Sequence, residues 1–140
     1  MKRILCLFLS TLLVALLCQA AHADTGKEKT AEAAARIWLS LVDREMYAES
    51  WTEAATYFKG AVTQEGWMQS MKSHRQPLGK IESRNFLSSK YTRTLPGAPD
   101  GEYVVIQYQA SFEKKQSAVE TLTPMLDKDG KWRVAGYYIR

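Results

Sequence analysis

The chain has 140 residues, 19 of them Lys or Arg and 15 Asp or Glu, with two histidines and two cysteines. That length suits one domain. Both signs of charge are mixed along it, so it lacks the single-sign patch that a nucleic-acid binder needs. Cys6 and Cys18 both fall in the N-terminal apolar segment, which leaves the rest without a disulfide, a thiolate ligand or a thiol nucleophile.

That segment reads as a secretory signal peptide. Lys2 and Arg3 give a positive start, and Ile4 to Leu17 is apolar except for Ser10 and Thr11. Small residues then end in Ala21-His22-Ala23, which suits signal peptidase and puts the cut between Ala23 and Asp24. The apolar run is shorter than the ~20 residues of a membrane span, so no span is expected after cleavage. A lipid-anchored Cys18 is set aside, because bulky Leu17 precedes it. The expected domain is therefore 24–140, in the periplasm or secreted. Without Lys2 and Arg3 it carries 17 basic and 15 acidic residues, a net charge of +2. A core of that size buries roughly two thirds of the unfolded surface and needs no staples.

The first half predicts three helices. Ala31, Ala34, Ala35, Trp38, Leu41 and Val42 repeat at helical spacing from Lys27 on. After the polar break Asp43-Arg44-Glu45, a second helix puts Tyr47, Trp51, Ala54, Ala55 and Phe58 on one face and stops near Gly60. Thr63 is an N-cap for a third, with Val62 able to staple onto Trp67. Its apolar face is Trp67, Met71, His74 and Leu78, and Pro77 with Gly79 ends it.

The second half predicts four strands. Residues 81–91 carry no breaker, and 95–101 are dense in turn formers. Glu102 to Glu113 alternates, with Val104, Ile106, Tyr108, Ala110 and Phe112 on one face. Lys114 to Ser117 reads as a turn into a third strand, Ala118 to Met125. Asp129-Gly130 marks a hairpin into the last strand, with Trp132, Val134 and Tyr138 on one face. The class is α+β: three helices packed on a curved four-stranded antiparallel sheet, a cone whose mouth would hold a ligand.

Several runs are distinctive: Leu95-Pro96-Gly97-Ala98-Pro99-Asp100-Gly101-Glu102-Tyr103, Glu120-Thr121-Leu122-Thr123-Pro124-Met125, Asp129-Gly130-Lys131-Trp132-Arg133-Val134 and Gly136-Tyr137-Tyr138-Ile139-Arg140. With Trp38, Trp51, Phe58 and Trp67 they resemble the small secreted bacterial proteins of domain-of-unknown-function family 4019. The resemblance implies a plan similar to the cystatin-like and nuclear-transport-factor-like cones. It brings no biochemical activity with it, and a homodimer through the outer sheet face is implied by analogy only.

Candidate chemistry is sparse. After cleavage His74 is the one histidine, a natural general base, though a helix-end histidine commonly just bonds a carbonyl. Ser70 lies one turn before it, with no oxyanion donor in view. Asp127 and Asp129 fall short of a calcium loop, so neither a metal nor a cofactor is expected. Glu120, among Tyr103, Tyr108, Tyr137 and Tyr138, could transfer protons as cone-shaped isomerases do. The plainer reading puts it on the solvent face, paired with Arg84 or Arg133. Adjacent Tyr137 and Tyr138 must face opposite ways. Arg84 and Arg133 could orient an anion. The ligand-binding candidates are thus Arg84, Tyr108, Glu120, Arg133, Tyr137 and Tyr138. The expected function is a non-catalytic exported module binding a small molecule or a protein partner in the bacterial envelope. Two alternatives stay open: a cofactor-free isomerase- or hydrolase-type enzyme using Glu120 or His74, and an envelope inhibitor or assembly protein.

Overall fold

A computed structural model describes residues 24–140. The apolar N-terminal segment, its two cysteines and Ala23 lie outside the described residues, and Asp24 is the first of them. Helix α1 covers 24–43. Then come α2 (Tyr47–Thr52), α3 (Thr56–Ala61), α4 (Gln64–His74) and a 3-10 turn, Gln76–Leu78. Strands β1 (Ile81–Thr92), β2 (Tyr103–Phe112), β3 (Lys115–Leu126) and β4 (Trp132–Ile139) form one antiparallel sheet in the order β1-β2-β3-β4. The chain is α+β, helices before strands, as the patterning predicts. No described helix is long and apolar enough to cross a membrane.

Four helices stand where three are predicted, because the second is split. Ala55 leaves helical geometry (ψ 149°) and gives its N–H to Val134 O at 2.9 Å, on the outer edge of β4. That contact covers part of an edge strand whose backbone groups would otherwise be unpaired. The new helix start is served from the β3–β4 turn, where Asp127 Oδ2 accepts from Thr56 N at 3.2 Å and Thr56 Oγ1 at 3.3 Å. Thr63 caps α4 as expected, its Oγ1 accepting from Gly66 N at 3.1 Å.

One core joins the helices to the inner sheet face. Ala31, Ala35, Trp38, Leu39 and Val42 of α1 pack with Val104, Ile106, Tyr108, Leu122 and Val134. The alternation of β2 is seen as predicted. Two indoles converge on α2: Trp38 Nε1–H donates to Ser50 O at 2.7 Å, and Trp67 Nε1–H to Ser50 Oγ at 2.9 Å. Both polar tips are thereby satisfied inside the core.

Two strand details differ from the patterning. The β2–β3 turn is only Glu113-Lys114, so β3 starts at Lys115 and not at Ala118. On β4 the inner residue is Tyr137, and Tyr138 is exposed. The cause lies in the register, where Leu122 pairs with Tyr137 but Pro124 with Val134. One extra residue is bulged out of β4 opposite Thr123, which shifts the in-out phase by one. Pro124 has no N–H to give the ladder, and a bulge is where an interior strand tolerates proline.

Gly79 links the 3-10 turn to β1 at φ +79°, and a Cβ there would lie 2.6 Å from Glu113 Oε2 and 2.9 Å from Glu113 Cβ. Gly79→Ala is expected to cost about 1–3 kcal/mol, combining the glycine-only conformation with the clash. Urea unfolding with an unchanged m-value checks this.

Candidate functional site

The polar side chains that the fold gathers inside it centre on Glu120. This residue sits on β3 opposite Tyr108 on one side and Ile139 on the other, and it is fully buried. Arg84 reaches it from β1, with Nε donating to Oε2 at 2.5 Å and Nη2 to Oε1 at 3.2 Å. Tyr137 on β4 donates its hydroxyl to Oε1 at 2.7 Å. The same guanidinium forks onto Asp43 at the end of α1, at 2.8 and 3.0 Å. Asp43 in turn accepts from Arg75 Nη2, just past α4, at 3.2 Å. Two carboxylates and two guanidiniums therefore neutralise one another between the ends of two helices and three strands.

Burial makes such a cluster expensive unless every member is bonded. Burial works to lower the affinity of Arg84 for its proton. The hydrogen bonds to Asp43 and Glu120 outweigh that and hold the guanidinium above its ordinary range. Burial, the nearby Glu120 charge and the bond to it push the Tyr137 phenol well above its usual value. Arg75 is buried, stacks 4.5 Å over the Phe112 ring and gives Nη1–H to Gly79 O at 2.8 Å. Its Nε–H and the Tyr47 hydroxyl are buried without a hydrogen-bond partner among the described residues.

Of the six candidate binding residues, three meet here: Arg84, Glu120 and Tyr137. Glu120 is not on the solvent face, which corrects the plainer reading. Its pairing with Arg84 is present, but inside the core. Arg133 lies elsewhere, bonded to Asp127 Oδ2 at 3.0 Å and to both oxygens of Asp129 at 2.8 Å. Those contacts, led by the hydrogen bond from Arg133, hold Asp129 well below the usual carboxylate range. Tyr108 is buried under α1, its hydroxyl 3.3 Å from Glu32 Oε1 and its ring flanked by Phe86 and the Arg36 guanidinium. Tyr138 is 44% exposed on the other sheet face, against Arg140. His74 is exposed, not on the buried face of α4. Its Nδ1–H donates to Ser70 O at 3.0 Å, since a carbonyl can only accept.

Arg75 and Asp43 were missed, although each continues a buried stripe. Trp67, Met71 and Arg75 are four apart, as are Ala35, Leu39 and Asp43. A charge falling on the next turn of an apolar stripe is the signal that could have found them.

Chemically, Glu120 is engaged by three donor bonds. Both oxygens accept charge-assisted bonds, and none of the three grooves described next is lined by it. Among the described residues no group of three or more His, Cys, Asp or Glu could hold a metal. The most voluminous of the three grooves, about 810 Å³, runs between α2–α3 and the β3–β4 hairpin, with Asp127 and Arg133 on its wall. A small one of about 240 Å³ separates α1 from β4. The third, about 420 Å³, lies between α4 and the end of β4. It alone of the three is lined by members of the charge cluster, Arg75 and Tyr137, beside Trp67, Met71, Leu78 and Ile139. Ser70, His74, Lys115 and Tyr138 complete it.

Residues 34–137 match the model of a family described as protein of unknown function (DUF4019). No curated protein matches the chain.

Proposed function

We propose, from the premise that the chain belongs to the family described as protein of unknown function (DUF4019), that it is a non-catalytic exported binding module. Its ligand is a small molecule held in the groove between α4 and β4. The observation that carries this reading is the join between groove and charge cluster. Arg75 and Tyr137 line the groove, and the bonds through Asp43, Arg84 and Glu120 fix both. A mostly apolar cleft of this size with a few fixed polar groups is the usual form of a small-molecule site. Export to the periplasm or medium rests on Lys2, Arg3, the apolar run and Ala21-His22-Ala23. The burial of Glu120 with both oxygens bonded, and the bond from His74 to its own helix, weigh against proton-transfer or hydrolytic catalysis by either.

A second reading has one observation in its favour. Phe86 and Leu87 on edge strand β1 are 47% and 51% exposed, which suits a protein partner or a second copy.

Intact mass of protein purified from the periplasm, native and then denatured, tests the proposal. The denatured mass is expected to lack residues 1–23. The native mass is expected to carry added density that denaturation releases, and that Ser70→Trp, filling the groove, abolishes. A native mass equal to the bare chain, or added density that survives Ser70→Trp, would overturn the groove reading. A simple multiple of the chain mass would favour the second copy.

A further inference from the structure

Resting on that reading of the groove, we infer that its occupant is an amphipathic anion: an apolar, preferably planar body with one carboxylate- or phosphate-like head. Four observations converge on this class.

The first is charge. The groove is lined by Arg75 and Lys115 and by no acidic side chain. Asp43 and Glu120 together balance Arg75 and Arg84 from inside the protein. Lys115 brings a further positive charge at the start of β3, so the lining presents net positive charge to whatever enters. A cation placed there would meet like charge, and a cleft of one sign selects the other.

The second is a fixed guanidinium on the groove wall, whose charge an anion meets even though its Nε–H is covered from solvent. Arg75 spends Nη1 on Gly79 O and Nη2 on Asp43, and its Nε–H is buried and unbonded among the described residues. An oxygen anion is the partner a guanidinium takes best. The guanidinium cannot turn away, because it is stacked on Phe112 and tied at both Nη atoms.

The third is the wall. Trp67 and Met71 from α4, with Leu78 and Ile139, present apolar surface beside the Tyr137 ring. Trp67 is held by its bond to Ser50 and by an edge contact with Phe58 at 5.1 Å. A fixed aromatic wall favours a flat body over a flexible one, which would lose more freedom on binding.

The fourth is size. About 420 Å³ is room for roughly fourteen waters at their liquid volume. That fits one or two fused rings or a short chain with its head, and not a folded partner.

Calorimetric titration of the 24–140 protein with three probes tests the inference: naphthoate, naphthylmethanol and naphthylmethylamine, which share one body and differ in head charge. The acid is expected to bind at least about tenfold more tightly than the alcohol, and the amine more weakly than both. Lys115→Glu, a change at a half-buried position clear of the core, is expected to erase the preference for acid over alcohol and to raise the affinity for the amine. Equal affinity for acid and alcohol, both abolished by Ser70→Trp, would overturn the anion while leaving the groove as the ligand site. Binding of none of the three would overturn the ligand class, and the native mass then decides separately whether the groove is used. An acid preference that survives Lys115→Glu and Ser70→Trp alike would place the anion outside this groove and sink the inference too.

Discussion

Glu120→Ala is expected to lower the unfolding free energy by about 3–5 kcal/mol, the usual cost of breaking a buried ion pair from one side. Three things change at once. The Tyr137 hydroxyl loses the acceptor that it reaches at 2.7 Å. Arg84 keeps only Asp43 and becomes a buried charge with half its partners. The side chain leaves a hole where nothing is exposed. The apolar pair Arg84→Met with Glu120→Leu is expected to recover most of the loss, because replacing both partners removes the desolvation cost along with the attraction. Urea unfolding of wild type, Arg84→Met, Glu120→Leu and the double variant closes the cycle and gives the coupling directly. A single-variant loss below about 1 kcal/mol would mean that water already reaches these carboxylate oxygens.

The architecture was legible because it depends on near neighbours in sequence. Spacing in α1, the Thr63 cap, the alternation of β2 and the Asp129-Gly130 turn each act within a few residues, and the folded chain has all of them. Gly130 takes φ +78°, as that turn requires. What the sequence left hidden depends on distant pairings. The split after Thr52 is made by Val134, some eighty positions on, accepting from Ala55. The inner position of Tyr137 follows from the bulge opposite Thr123, which no alternation rule on β4 alone contains. Of the site, Arg84, Glu120 and Tyr137 are among the sequence candidates, with Glu120 open between a buried proton-transfer role and a solvent-face ion pair. A carboxylate within a strand is ordinarily a solvent-face residue. Only the register joining β1 to β4, with the ends of α1 and α4 above it, brings enough donors to Glu120 to bury it. The groove was invisible for the same reason, since its walls come from α4, β3 and β4.

The cluster also says what holds the helical layer in place. Asp43 ends α1 and accepts from both Arg75, which follows α4, and Arg84 of an edge strand. Apolar contacts along α1 would tolerate a slide of one turn far better than this bonded set does. We read it as fixing register between layers at some cost in stability, and the apolar double variant above tests that too. If it is as stable as wild type but its α4–β4 groove no longer binds ligand, the charges serve position and not strength.

Stability should also fall steeply above pH 10, and the sign follows from the buried phenols. Burial, reinforced by Glu32, pushes Tyr108 up to about 12, and burial with Glu120 pushes Tyr137 well above its usual value. Below pH 10 both are protonated whether the chain is folded or not, so nothing is lost. As pH rises past 10 the unfolded chain releases these protons and the folded one keeps them. The unfolded state then binds fewer protons, and the unfolding free energy drops by at most about 1.4 kcal/mol per pH unit for each tyrosine. The loss through Tyr108 ends near pH 12. Lys27 adds to the fall, since its bond to Glu102 raises its affinity for its proton when folded. Tyr138 opposes it, because bonds from Thr121 and Arg140 favour its ionised form. Tyr108→Phe is the clean probe, since its hydroxyl makes only a 3.3 Å contact with Glu32 and the ring packing is kept. Urea midpoints at pH 9, 10 and 11 should show the variant little changed at pH 9. Between 10 and 11 it should lose about 1 kcal/mol less than wild type. Parallel curves would mean that Tyr108 ionises while the protein stays folded, so that solvent enters beneath α1 and the seat of that helix on the sheet is looser than its packing implies.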